Sequence, residues 1–344
     1  MKQGKTYIII RLSSLGDVAM ALPAIYEAAE EHPQDTFYLL TQPFMCKMVV
    51  HPPANLSTIA FRKDEDGSFG QLIRLSHELH KLYPNAIIVD LHDVLRTKWL
   101  RTLLKSKGHS VFTIDKPRRE RHQLLEKRTE AVVPKQLYVP RMTDIYVETL
   151  TRAGITILSK GKMVLTRTEC STSISIGIAP YAQYRGKMIT REQTLALIDT
   201  LKETYPDADL ILYGAAGSEA RSNRELVSLR PQSVRTTSAE GIQDEIHEIA
   251  QLDCMISMDS ANQHIAAMVG TPVVSIWGAT HPAAGFMAFR TQESTCMGLD
   301  MPCRPCSIYG NKPCSRDDYA CLEGLSIPTI VDTVSKIIAE RHTI

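Results

Sequence analysis

Three loops carry residues that can do chemistry. The first reads Arg11-Leu-Ser13-Ser14-Leu-Gly-Asp17 and leads from an apolar run at residues 7–12 into a helical pattern at 18–30. A carboxylate at a strand end can serve as a general base, and an aspartate there also caps a helix; the motif alone suits both roles. It lacks the three spaced glycines of a dinucleotide fingerprint. The second loop, Arg185-Gly-Lys187-Met-Ile-Thr190, sets a lysine beside a glycine, with Gln193 in capping-box position to Thr190. Such a lysine can hold a phosphate or be solvated at the surface. The third, Met258-Asp259-Ser260-Ala261-Asn-Gln-His264, ends a strand and starts a helix. Free backbone N–H groups at Ser260, Ala261 and Asn262 suit a diphosphate. His264, one turn further in, either faces the same way or packs on a sheet.

Two series of short apolar runs must position these loops. Residues 7–12, 37–41, 86–89 and 111–114 read as buried strands, with helical spacing at 18–30 and 69–82. A second series has strands at 174–179, 210–213, 254–257 and 273–277, with helices at 190–204, 218–229 and 260–269. Strand–helix alternation implies parallel sheets with helices on both faces, an α/β class. The length of 344 residues suits two such domains. A polar stretch at 157–173 without clear period reads as the linker. The expected boundaries are residues 1–165 and 174–325, with a C-terminal helix over 326–344 that packs back on the first domain. Ligands bind beyond the carboxyl ends of such strands, so the expected site is a cleft between the domains.

Composition narrows the function classes. Net charge is +1, so no global field advertises a nucleic-acid partner. Neither a secretory leader nor a membrane-spanning run is read, which predicts a cytoplasmic protein with mostly reduced cysteines. Charge is nonetheless uneven. Residues 96–128 hold eleven Lys or Arg, from Arg96 to Lys127 and Arg128, against three acids. This excess can be a solvated face, or it can attract an acidic substrate or an anionic membrane. Cys303-Arg-Pro-Cys306 with Cys314 and Cys321 suits a structural zinc site, although the second pair lacks the tight Cys-x-x-Cys spacing.

The three loops, in this order and spacing, resemble those of glycosyltransferase family 9, the lipopolysaccharide heptosyltransferases. The resemblance runs from about Lys5 to the C-terminal helix. It implies the GT-B fold, two Rossmann-like domains, and transfer of heptose from ADP-heptose to an inner-core sugar, with inversion and with no metal required. It assigns Asp17 as general base, with Ser13 and Ser14 beside the acceptor. Lys187, Gly214, Glu219, Asp259, Ser260, Ala261 and His264 would meet the donor. Ala261 departs from the glycine usual in the family, which limits backbone approach to the diphosphate. The implied acceptor is an acidic Kdo-bearing lipid A, with Arg96, Arg101, Arg118 and Arg121 as its contacts. Peripheral contact with the inner membrane follows from such an acceptor.

Three other readings compete. One keeps the fold and uses another nucleotide sugar. A nucleotide-sugar epimerase would need further acid/base groups around the sugar, and no such set stands out. A catalytically silent nucleotide-sugar-binding protein would not need both Asp17 and Lys187.

Overall fold

The computed structural model describes residues 4–126, 132–165 and 173–342. These divide into two compact units: Met1–Lys116 with Met142–Val164, and Pro117–Arg141 with Leu165–Ile344.

The first unit holds one parallel sheet of β1 (Thr6–Ile10), β2 (Thr36–Thr41), β3 (Leu56–Ala60), β4 (Ile87–Asp90) and β5 (Val111–Thr113), in the order β3-β2-β1-β4-β5. Ile8 lies opposite both Tyr38 and Ile88, so β1 is central. A central parallel strand is covered on both faces, which explains its unbroken apolar run. Tyr7 stacks on Phe37 at 5.1 Å. On one face, Leu72, Leu75 and Leu79 of the Phe69–Leu82 helix meet Leu100 and Leu104 of the Leu95–Ser106 helix.

The second unit has six parallel strands: β6 (Ser175–Ala179), β7 (Asp209–Leu212), β8 (Arg235–Thr236), β9 (Cys254–Met258), β10 (Val273–Ile276) and β11 (Cys296–Met297). Their order is β11-β10-β9-β6-β7-β8. In both sheets the strand order reverses once, between β1 and β4 and between β6 and β9. Chains leaving opposite ways at such a point open a crevice at the carboxyl ends of the strands. All three chemical loops arise there: Asp17 follows β1, Lys187 follows β6 and Asp259 follows β9.

Two boundary expectations change. Pro117–Arg141, assigned above to the first domain, belongs to the second unit. The Val139 amide donates to the Ala283 carbonyl at 2.8 Å, and Leu124, Val133 and Val139 share an apolar cluster with Ala283, Ala284 and Ile308. The Ile327–His342 helix also completes the second unit, where it was expected on the first. Its Ile330, Val331, Val334 and Ile338 join Leu197 and Leu201 in that unit's core. Of the supposed linker, residues 166–172 lie outside the described residues. Its start is anchored in the first unit, where buried Glu27 accepts from the amides of Leu158, Ser159 and Gly161.

Candidate active site

In the first unit, Asp17 occupies the third position of the Leu15–Glu31 helix. Its Oδ2 accepts from the Ser14 amide at 3.1 Å and the Ser14 hydroxyl at 2.7 Å. The capping role is therefore real. A second partner goes beyond capping: a terminal nitrogen of Arg11 reaches the same oxygen at 2.5 Å. Arg11 is buried, donates also to the Leu91 carbonyl at 2.7 Å, and so ties the end of β1 to the end of β4. Burial raises the Asp17 pKa, but the Arg11 charge and the Ser14 hydrogen bonds outweigh it and hold the carboxyl below its ordinary value. Asp17 is thus an anion at neutral pH. Ser13, half-buried, precedes this turn.

The end of β4 adds a group that sequence reasoning missed. His92 is buried, and its pKa is depressed to about 3 by burial first, then by the charges of Arg11, Lys116 and Arg96. Burial alone favours the neutral imidazole; the three cations add to it, and Asp17 acts the other way. The one charge inside the first apolar run, Arg11, was the available clue to this arrangement.

The basic stretch does not act as one patch. Arg96 lies over the Phe61 ring at 5.9 Å. Arg101 is committed to Asp90 at 2.7 Å and Asp93 at 3.0 Å. Arg118 and Arg121 fall in the second unit, on the Arg118–Glu126 helix. Arg121 is 5 % exposed, donates to the Ala284 carbonyl at 3.1 Å and covers the Phe286 ring at 4.2 Å. As a correction, Arg101 and Arg121 are structural cations here, and a buried guanidinium bound to protein oxygens offers little to an acceptor. Lys127 and Arg128 lie outside the described residues.

In the second unit, Lys187 and Asp259 come together across the strand-order reversal. Lys187 Nζ stands 2.9 Å from Asp259 Oδ2, with side-chain exposures of 14 % and 7 %. Asp259 also accepts from Gln263 at 3.0 Å and from the Thr280 hydroxyl at 2.8 Å, two partners not anticipated from sequence. The carboxylate therefore orients the lysine. An ammonium has three donors, and this pair uses one.

Capping separates the helix ends. Thr190 and Gln193 close the start of the Arg191–Thr204 helix with a reciprocal box. The Ala261–Met268 helix has Ser260 at its N-cap, and the Ser260 side chain makes no capping hydrogen bond. Its first-turn amides remain for an anion, at the positive end of the helix dipole. Ala261 opens this helix and His264 is buried within it. On the flank beyond β7, Glu219 accepts from the Ala215 amide at 2.7 Å, and a side chain at Gly214 would strike the Tyr181 ring. Nearby, Pro180, Tyr181, Thr190, Arg191, Ser222 and Glu225 line a pocket of about 390 Å³.

The cysteines do not converge as a metal site. Among the described residues no group of three or more His, Cys, Asp or Glu side chains can hold an ion. Cys303, Cys306, Cys314 and Cys321 form no disulfide, and burial pushes the Cys321 thiol up to about 11. Tetrahedral zinc needs convergent thiolates, so this donor set does not fit the zinc expected above. Among the described residues, no helix is long and apolar enough to cross a membrane.

Comparison with known proteins points one way. The family model for glycosyltransferase family 9 (heptosyltransferase) matches residues 73–315. Lipooligosaccharide heptosyltransferase 2 of Campylobacter jejuni is 22% identical over 95% of this chain and 97% of its own length. The family 9 glycosyltransferase structure from Veillonella parvula superposes with a TM-score of 0.71 at 14% identity, covering 99% of both chains. The E. coli ADP-heptose lps heptosyltransferase II structure gives 0.65 at 16% identity, over 98% of this chain and 99% of that one.

Proposed function

Since the chain belongs to glycosyltransferase family 9, we propose that it transfers heptose from ADP-heptose to an inner-core sugar of a lipopolysaccharide precursor, with inversion. The observation that carries this reading is the opposite chemistry at the two strand-order reversals. One presents the ionised carboxylate of Asp17; the other presents Lys187 and an uncapped helix start at Ser260.

Inverting transfer needs those two functions. The acceptor hydroxyl must lose a proton as its oxygen attacks the anomeric carbon, and Asp17 takes it. The departing diphosphate gains charge, which Lys187 and the amides after Ser260 stabilise. Asp259 holds the lysine in place, and Glu219 and Gly214 stand toward the nucleoside. A low-pKa base is sufficient because the proton becomes acidic only as the new bond forms. The single carboxylate contrasts with the paired carboxylates of retaining glycoside hydrolysis.

The acceptor is an acidic, Kdo-bearing lipid A. Arg96, beside neutral His92, supports a positive acceptor side in the first unit, and Arg118 remains a candidate contact. Such an acceptor is presented at a lipid surface, which places the protein in the cytoplasm as a peripheral partner of the inner membrane. The Leu95–Ser106 helix supports this: Leu95 is 72 % exposed, Trp99 is half-exposed against Phe69, and Lys98 and Lys105 flank them.

Thermal unfolding of the purified protein with ADP, UDP, GDP and their sugars tests the donor. Selective stabilisation by ADP or ADP-heptose is expected, about 2.7 kcal/mol at a hundredfold excess over Kd. Stabilisation by UDP or GDP alone would replace the donor with another nucleotide sugar.

A further inference from the structure

Arg304 stands between two thiols in the Cys303-Arg-Pro-Cys306 turn, yet it is 2 % exposed. Four backbone carbonyls hold it. Nε donates to Gly278 at 2.5 Å, one terminal nitrogen donates to Trp277 at 2.8 Å and Thr280 at 3.1 Å, and the other donates to Leu299. Burial lowers its pKa, while the nearby thiols and Asp300 act the other way. A guanidinium keeps its proton in proteins, so this remains a fixed charge with a fork of fixed geometry.

Those carbonyls belong mainly to one loop, residues 277–280, at the carboxyl end of β10. The loop is gripped from two sides. The Ala279 amide donates to the Gly186 carbonyl at 2.7 Å, next to Lys187, and the Cys306 amide donates to the Ala279 carbonyl at 2.8 Å. A Cβ on Gly278 would stand 2.4 Å from the Gly186 carbonyl oxygen, so the contact leaves no slack. Thr280 then reaches Asp259 at 2.8 Å.

We infer that Arg304 is a positioning residue of the diphosphate site. It touches no substrate. It sets the backbone of 277–280, and that backbone sets Asp259 through Thr280 and the Lys187 turn through Gly186. A misplacement of about 1 Å at such a site costs on the order of a hundredfold in rate. The cysteine turn thus gains a task that needs no metal: it delivers this guanidinium.

The inference rests on the reading of Lys187 and Asp259 as the donor side. It is tested in the full chain with Arg304→Lys, Arg304→Ala and Thr280→Val, by ADP calorimetry, donor and acceptor KM, kcat and thermal unfolding. Arg304→Lys keeps the charge but loses the fork. ADP Kd and donor KM are expected to rise about tenfold or more, with acceptor KM unchanged. Millimolar guanidinium should restore part of the ADP affinity in Arg304→Ala, which a general loss of packing would not predict. Thr280→Val should move donor KM the same way by a smaller factor, and it reads the linkage even if both Arg304 variants fail to fold. If wild type binds ADP and folded Arg304→Lys, or Thr280→Val where neither Arg304 variant folds, binds it within twofold of wild type, the inference is overturned. Wild-type protein that binds no ADP removes the donor reading and this inference with it.

Discussion

Arg11 binds one oxygen of Asp17, at 2.5 Å, and leaves the other alone. Ser14 donates twice to that same Oδ2, so Oδ1 accepts no hydrogen bond among the described residues. One oxygen fixes the carboxylate and its twin is available to a substrate proton. Asp17→Asn keeps the shape and removes the proposed base. We expect kcat/KM to fall by about a hundredfold or more with ADP affinity retained. Stability should also drop, by about 1 kcal/mol for the weakened cap and more for the buried Arg11 left without its counter-charge. Unchanged turnover in a transfer assay would dismiss Asp17 as the base.

The same pair predicts a pH profile. Asp17 is held below its ordinary value, so the ionised form persists to unusually low pH. Activity should therefore fall only as pH drops below about 4, the usual aspartate range. Stability follows the same sign: the contribution of the pair is complete above the unfolded pKa and is lost as pH falls through the folded one. Arg11→Met should move the acid limb of kcat/KM upward. A limb at the same pH in both proteins would show that Arg11 does not tune the base.

Removal of the Lys187 ammonium should act on the donor alone. Lys187→Ala is expected to cost about a hundredfold or more in kcat/KM, the usual loss for one oxyanion donor, with acceptor KM unchanged. Asp259→Asn should cost less, because the amide oxygen still accepts from Thr280. If the two variants have equal effects, the lysine has no role beyond its ion pair.

Glu245 offers a test of stability. Burial, then the charges of Glu248 and Glu219, lifts its pKa to about 7. A raised carboxyl binds its proton better folded than unfolded. Stability is therefore full below the unfolded pKa of about 4.3 and declines as pH rises through about 7. Glu245→Gln should raise Tm at pH near 8, by about 2–4 °C for each kcal/mol relieved, and leave it unchanged at pH near 4. Equal Tm at both pH values would mean that the carboxyl is not strained.

Membrane contact can be read from one side chain. The chain has two tryptophans; Trp277 is fully buried and Trp99 is 47 % exposed. Vesicles rich in phosphatidylglycerol should shift the Trp99 emission to the blue, and phosphatidylcholine vesicles should not. Each Lys near an anionic surface is worth about 1 kcal/mol, so Lys98→Gln with Lys105→Gln should weaken binding about thirtyfold. An unshifted spectrum with anionic vesicles would remove the lipid surface as a partner of this helix.

Central strands were legible in the sequence because burial on both faces leaves an unbroken apolar run, as in β1 and β9. Of the edge strands only β5 was read; β3 was missed, and β8 and β11 are two residues each, too short to show a period. The Leu95–Ser106 helix was hidden inside a charge run, since its outward face carries most of its letters. Asp17 and Lys187 could be singled out as candidates because strand-end loops are few. The fates of Arg96, Arg101 and Arg121 could not. One covers an aromatic ring, one meets carboxylates from β4 and its loop, and one meets a carbonyl far along the chain. Local letters are the same in all three cases; the partner that decides is distant.

The exchange of Pro117–Arg141 between the units has a consequence for biogenesis. The chain passes from one unit to the other after Lys116, after Arg141 and after Val164. On the ribosome, the first sheet is complete once β5 emerges, but the Met142–Arg152 helix that covers it follows an excursion whose own partners, Ala283, Ala284 and Ile308, are still untranslated. At about 5–20 residues per second that excursion waits about 7–30 s with Leu124, Val133 and Val139 uncovered. A nascent chain stalled in this interval is the form most exposed to chaperones and proteases. For the same reason, a fragment cut at residue 165 inherits an apolar segment with nothing to cover it.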